Sequence, residues 1–198
     1  WHISLSTWFR DYLYIPLGGS RGGLMMKIRN TFIIFIVSGF WHGANWTFII
    51  WGTLNAIYFL PVLLTENNRN NIEIVAKGKV LPTLKEFFLM LITFSLVVFA
   101  WIFFRANNVE HAISYISEIL SFSFFTFPDF ENINRASMVL LLVGVFLLFE
   151  WHGREWQFAI AKLGLTWKRP IRYILYYSLI IAILWFGGKE QEFIYFQF

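Results

Sequence analysis

The segment Ser38–Trp46 reads SGFWHGANW, a single imidazole between two tryptophans and two glycines. From Asn30 to Thr65 the chain holds no Asp, Glu, Lys or Arg. His42 is therefore the one side chain of that run that titrates near neutral pH. Ionisable groups inside such apolar segments are costly and tend to face a bundle interior or a water-filled path. On residues alone, two roles are open. His42 is either a functional group or a neutral histidine that bonds a backbone carbonyl and braces a kink.

A second histidine opens WHISLSTWFRDYLYIPLGGSRGG. A helix over residues 1–13 would align His2, Ser6 and Arg10 at i, i+4 and i+8. Trp1, Leu5, Trp8, Phe9 and Tyr12 would fill its apolar face. The polar stripe could line a passage or face a loop, and Arg10 with Asp11 could be a local charge pair. The WHG triplet recurs at Trp151–Gly153, but there the neighbours are Glu150, Arg154 and Glu155. A wet, charged interface accounts for His152, and His111 beside Glu110 is similar. The four histidines lack the spacing of a metal site such as H-E-x-x-H, so no metal is implied. The glycine-rich LGGSRGG (Leu17–Gly23) could nest an anion, yet it fits neither the P-loop nor the dinucleotide pattern.

These groups must be carried by elements suited to lipid. The 198 residues are 58% hydrophobic and 14% charged, whereas soluble domains carry about a quarter charged residues. Spanning hydrocarbon takes about 20 apolar residues as a helix. Leu84–Phe104 fits best, and Ala136–Trp151 and Ile171–Phe186 are shorter candidates with Trp near one end, as interfacial anchors often have. Thr31–Leu64 is too long for one span and its middle, Gly39–Asn45, is rich in Gly and polar atoms. TFIIFIVSGF alone rises about 15 Å as a helix, so a broken or re-entrant segment is expected there. Such backbone survives at membrane depth only against protein or a wet cavity.

Asn108–Leu120 gathers Val109, Ala112, Ile113, Ile116 and Leu120 on one face, which predicts an interfacial helix. Basic loops at 66–85 and 152–170 point to the cytoplasm, leaving 105–135 and the tail outside. The side taken by residues 1–30 depends on whether 31–64 crosses once or twice. The net charge of +4 marks loops of a membrane chain, not nucleic-acid contacts. No cysteine is present, which removes thiolate sites and Cys nucleophiles. The fold class is thus all-α: a multi-pass transmembrane helical protein forming a single membrane domain over 1–198. The chain opens without Met, and a C-terminal portion with upstream spans missing is expected.

Taken together, WHISLSTWFRDYLYIPLGGSRGG, RNTFIIFIVSGFWHGANWTFIIWGTLNA and WIFFRANN resemble the membrane-bound O-acyltransferase (MBOAT) family. The nearest branch is that of the bacterial alginate O-acetylation proteins. The resemblance covers the whole chain as a C-terminal portion, with FIYFQF as the branch's natural end. It implies that His42 is catalytic and that His2 is the earlier histidine of the WHxS motif, while His152 matches no catalytic position. A related D-alanyl-transferring branch shares the WHxxLSxWFRD-like opening, but YIPLGG favours polysaccharide acetylation.

The resemblance implies an acetyl transfer from acetyl-CoA or another acyl thioester, with no bound cofactor. The acceptor is an exported polysaccharide or a periplasmic acetyl-transferring partner protein. The protein would reside in the cell (inner) membrane with lipid as its solvent. His42 would take the proton of the attacking hydroxyl, and His2 would orient the acyl group or bond the oxyanion. Trp41 and Trp46 would wall the site, with Ser6 and Arg10 contributing to substrate binding. Asn45 is a second possible donor there, or a helix cap. A D-alanyl transferase acting on a cell-wall polymer and a non-enzymatic polysaccharide-export subunit are the competing functions.

Overall fold

A computed structural model describes residues 3–65, 73–122, 133–160 and 162–186. Every regular element among them is helical: α1 (Ile3–Phe9), a π turn (Arg10–Tyr14), α2 (Gly23–Trp41), α3 (Trp46–Leu64), α4 (Leu84–Arg105), α5 (Val109–Ile119), α6 (Ile133–Gly153) and α7 (Arg169–Phe186). The chain forms two compact units, one from 1–76 with 81–127, the other from 77–80 with 128–198.

The apolar run 31–64 is broken where the glycines and polar atoms cluster, as expected. α2 and α3 are each 19 residues long, about 28 Å at helical rise. A reading that starts the first helix at Thr31 makes it too short. The helix instead begins at Gly23, since its polar first turns find partners. Asn30 is wholly buried, and its Nδ2 donates to the carbonyls of Gly19 at 3.0 Å and Leu17 at 3.3 Å. Its Oδ1 accepts from Arg29 Nε and Nη2 at 3.1 and 2.9 Å, and Nη2 also donates to Leu17 O at 3.0 Å. A buried amide is tolerated when its donors and acceptor are satisfied. Here that satisfaction ties the glycine-rich loop onto α2.

α2 and α3 then pack as an antiparallel hairpin whose backbones nearly touch. A Cβ on Gly39 would stand 2.3 Å from the Phe48 carbonyl oxygen, and one on Gly52 would stand 2.2 Å from that of Phe35. Close approach through small residues is how apolar helices associate when lipid offers no hydrophobic drive between them. Ala56, with no exposed surface, extends that small-residue contact.

α4 runs antiparallel to α3. Its start is fixed by a capping box: Thr83 Oγ1 accepts from Glu86 N at 3.3 Å, and Glu86 Oε2 accepts from Thr83 N at 2.7 Å. Arg105 in its last turn complements the helix dipole. Ala100 and Phe103 are its buried contacts, whereas Phe87, Phe88, Leu89 and Phe94 are at least half exposed, as suits a face turned to lipid. α5 has the amphipathic pattern expected of it, with Ala112 fully buried.

In the second unit the end of α6 is pinned by the residues around the second WHG. Trp151 Nε1 donates to Val80 O at 2.8 Å, Gly78 N donates to a Glu155 carboxylate oxygen at 2.7 Å, and Arg154 bonds Lys79 O. The Arg154 guanidinium also stacks 4.3 Å from the Trp151 ring. His152 itself is exposed.

Among the described residues four helices are long and apolar enough to cross a membrane: α2, α3, α4 and residues 135–153 of α6. The span expected at Ile171–Phe186 exists as the helix α7, but it is not among the four. Arg169, Arg172, Tyr173, Tyr176 and Tyr177 dilute its apolar character.

Candidate active site

His42 caps the C-terminus of α2 at the tip of the hairpin. Its N–H donates to Gly39 O at 3.0 Å, and Gly43 N donates to Phe40 O at 3.1 Å, which tightens the last turn. Gly43 continues at φ +152°, a backbone angle side-chain-bearing residues rarely adopt. Asn45 then starts α3, its Oδ1 accepting from Thr47 N at 3.1 Å. Four residues thus reverse the chain, within the usual length of a helix–helix connection.

The imidazole is ringed by aromatic edges. Trp41 lies 5.3 Å away at 80°, Trp51 5.4 Å at 90° and Phe104 5.1 Å at 77°, all centroid to centroid. Phe48 stands further off at 6.3 Å. Phe48 and Trp51 each also meet Phe104 edge to face, with centroids 5.1 Å apart in both pairs. Such arrangements suit the ring quadrupoles. The imidazole is half-buried, so its rotation is limited while a substrate can still reach it.

The walls differ from those expected. Trp41 contacts His42, but Trp46 is 74% exposed. Phe48 and Trp51, from the first turns of α3, and Phe104, from the end of α4, take its place. Trp51 has a helical signal, since it follows Thr47, which is fully buried, by about one turn on the same face of the helix. Phe104 comes from a distant segment, and nothing local in FFRANN reveals that it reaches His42.

Asn45 does two structural jobs at once. Besides capping α3, its Nδ2 donates to Asn107 O at 2.8 Å. That bond joins the turn carrying His42 to the turn that follows Phe104. Ser6 and Arg10 are exposed and neither bonds His42. Arg10 is held by its neighbour, Nε to Asp11 Oδ1 at 2.7 Å and Nη2 to Oδ2 at 3.1 Å. This hydrogen-bonded pair raises the Arg10 pKa and lowers that of Asp11. The expected helix is present from Ile3 and widens to a π turn at Arg10–Tyr14. His2 lies outside the described residues. Among the described residues no group of three His, Asp or Glu side chains could hold a metal ion.

The comparisons with known proteins meet at the same segments. Residues 1–99, half of the chain and the half that carries His42, match the MBOAT, membrane-bound O-acyltransferase family. The probable alginate O-acetylase AlgI of Pseudomonas aeruginosa is 41% identical over 148 residues, 75% of this chain and 26% of that protein. The corresponding AlgI of Pseudomonas putida is 32% identical over the entire chain, which covers 42% of it. A peptidoglycan O-acetyltransferase of Helicobacter pylori is 44% identical over 113 residues, 57% of this chain and 20% of the relative. No solved structure matches. The chain therefore spans well under half the length of these curated relatives. With the match across its first half and helices built for lipid, this chain belongs to the membrane-bound O-acyltransferase family.

Proposed function

We propose that this chain is the histidine-bearing portion of a membrane O-acetyltransferase that modifies an exported polysaccharide, with His42 as general base. The carrying observation is the placement of His42: the imidazole sits at a helix-hairpin tip, half-buried inside a box of four aromatic rings. The acetyl group and the polysaccharide class come from the relatives, several of which are named as alginate O-acetylases.

The chemistry needs few parts. One imidazole nitrogen accepts the hydroxyl proton while the acceptor oxygen attacks the thioester carbonyl. The tetrahedral intermediate then collapses, the carbon–sulfur bond breaks, and the imidazolium returns its proton to the departing thiolate. The products are an O-acetyl ester and a free thiol, with the base regenerated. A positioned general base contributes about 10²–10⁴-fold. The ring box supports this role by limiting the orientations the imidazole can take. Donor thioester such as acetyl-CoA arrives from the cytoplasm and acceptor from outside, in the inner membrane of the cell. His2 assists by orienting the acyl group.

The test uses the full-length protein with His42→Gln, compared with wild type at matched membrane abundance. Glutamine keeps size and hydrogen bonding but cannot accept and release a proton near neutral pH. Transfer is expected to fall about 10²-fold or more while binding of acetyl-CoA persists. Near-normal transfer would leave His42 as a brace of the hairpin. A second acceptor, peptidoglycan, is favoured by the 44% identity to the H. pylori enzyme, and assaying both polymers with the same preparation separates the two.

A further inference from the structure

Away from His42, α4 and α5 diverge from the turn at Ala106–Asn108 and leave a crevice of about 410 Å³ between them. That volume lies in the range of small-molecule sites. Its two walls are graded in the same direction. Beside the turn stand Arg105 and His111, Tyr115 lies midway, and Val98, Trp101 and Ile119 continue away from it. One end of the crevice is cationic or hydrogen-bond donating, and the rest is apolar.

Three further observations define the two ends. His111 Nδ1 accepts from Asn107 N at 3.4 Å, so a neutral ring carries its proton on Nε2 and can donate with it. Arg105 has no carboxylate partner among the described residues, and Glu110, the nearest acid in sequence, does not line the crevice. The apolar end is open: Val98, Trp101, Tyr115 and Ile119 are 40–52% exposed.

The place of the crevice in the fold agrees with this grading. α4 is long and apolar enough to cross a membrane and ends at Arg105, and α5 is amphipathic, the type that lies in the interface. The crevice therefore stands where headgroups meet hydrocarbon, with its charged end at the headgroup level. We propose that it binds an anionic phospholipid, the phosphate held by Arg105 and His111 and an acyl chain laid along Trp101, Val98 and Ile119. Charge complementarity selects the headgroup, and the graded walls select a molecule with an ionic head and a hydrocarbon tail. The site adjoins the aromatic box, since Trp101 stands 5.1 Å from Phe104, but lipid binding there does not depend on the transfer chemistry.

The full-length protein in detergent should melt at a higher temperature when phosphatidylglycerol is added than when phosphatidylcholine of identical chains is added. Arg105→Gln with His111→Gln should remove that difference and leave any response common to both lipids, whereas Arg105→Lys should keep most of it. One basic group near a lipid phosphate is worth about fivefold in affinity, and added salt should shrink the difference. On wild-type protein, phosphatidylglycerol with a photoreactive acyl chain should label residues 98–119. No difference between the lipids in wild type, or one that survives the double substitution, overturns the proposal. So does labelling confined to other segments, which would mean that the parent's own spans fill the crevice.

Discussion

At the scale of single residues, Asn45 shows how a side chain beside a base can matter without touching substrate. It caps α3 through Oδ1 and ties Asn107 O through Nδ2, and Phe104, three residues before Asn107, is a wall of the His42 box. The two bonds can be separated. Asn45→Asp keeps the acceptor, and a carboxylate at a helix N-terminus is favourable, but it cannot donate to Asn107. The aspartate variant of the full-length protein should therefore lose about 1 kcal/mol from the missing hydrogen bond and show reduced acetyl transfer. Asn45→Ala should lose roughly 1 kcal/mol more with the cap. Melting in detergent and transfer at matched abundance read both effects, and unchanged transfer in Asn45→Asp would show that the tie does not position the box. Thr47 is the contrary case. It is fully buried with Oγ1 unpartnered among the described residues, so Thr47→Val should be neutral or stabilising by up to about 1 kcal/mol. A loss of transfer without loss of stability would instead give that hydroxyl a part in the reaction.

At the scale of elements, the hairpin that presents His42 rests on two glycines where the backbones meet. Gly39→Ala and Gly52→Ala would each drive a methyl group into a carbonyl oxygen, and neither backbone can yield without opening the hairpin. Each should destabilise the protein by about 1–3 kcal/mol or more and lower transfer by displacing the box. Gly144, in α6, has open space around its missing Cβ, and Gly144→Ala should be neutral or stabilising by up to about 1 kcal/mol through helix propensity. Equal behaviour of the three in melting experiments would argue against the close crossing. These elements also show what sequence could and could not reveal. α4 was legible throughout because an apolar run, a Thr–x–x–Glu start and a terminal Arg all agree. The break at 42–45 was legible from its Gly and Asn content. The true start of α2 was not, since Lys27, Arg29 and Asn30 look unfit for a span until the carbonyls of Leu17 and Gly19 are seen to satisfy Asn30. The box was half legible for the same kind of reason. Trp41 adjoins His42 in sequence, but Phe104 arrives only through the packing of α4 on α3.

At the scale of the whole molecule, the two full-length helices of the hairpin bear on a question of direction that composition left open. With α2, α3 and α4 alternating, the start of α2 and the start of α4 share one end of the first unit, and the His42 turn shares the other with Arg105 and α5. The first end carries Arg21, Lys27, Arg29 and Lys85, whereas Arg105 is the one Lys or Arg within 41–48 and 104–122. By the excess of basic residues in cytoplasmic loops, the glycine-rich loop at Leu17–Gly23 should face the cytoplasm and the His42 turn should lie towards the outer surface. An exported acceptor would then approach His42 from its own side of the membrane, and the thioester would have to cross most of the bundle to meet it. Since these 198 residues contain no cysteine, single cysteines can report the orientation in a full-length protein freed of any others. Ser20 and Ser121 are both exposed and lie beyond opposite ends of the spans. In intact cells a membrane-impermeant maleimide should label Ser121→Cys, and it should label Ser20→Cys only after the membrane is opened. The reverse pattern would invert the topology and place His42 on the donor's side. Labelling of both sites in intact cells would mean that an even number of α2, α3 and α4 cross, and would overturn the alternation of three spans on which this orientation rests.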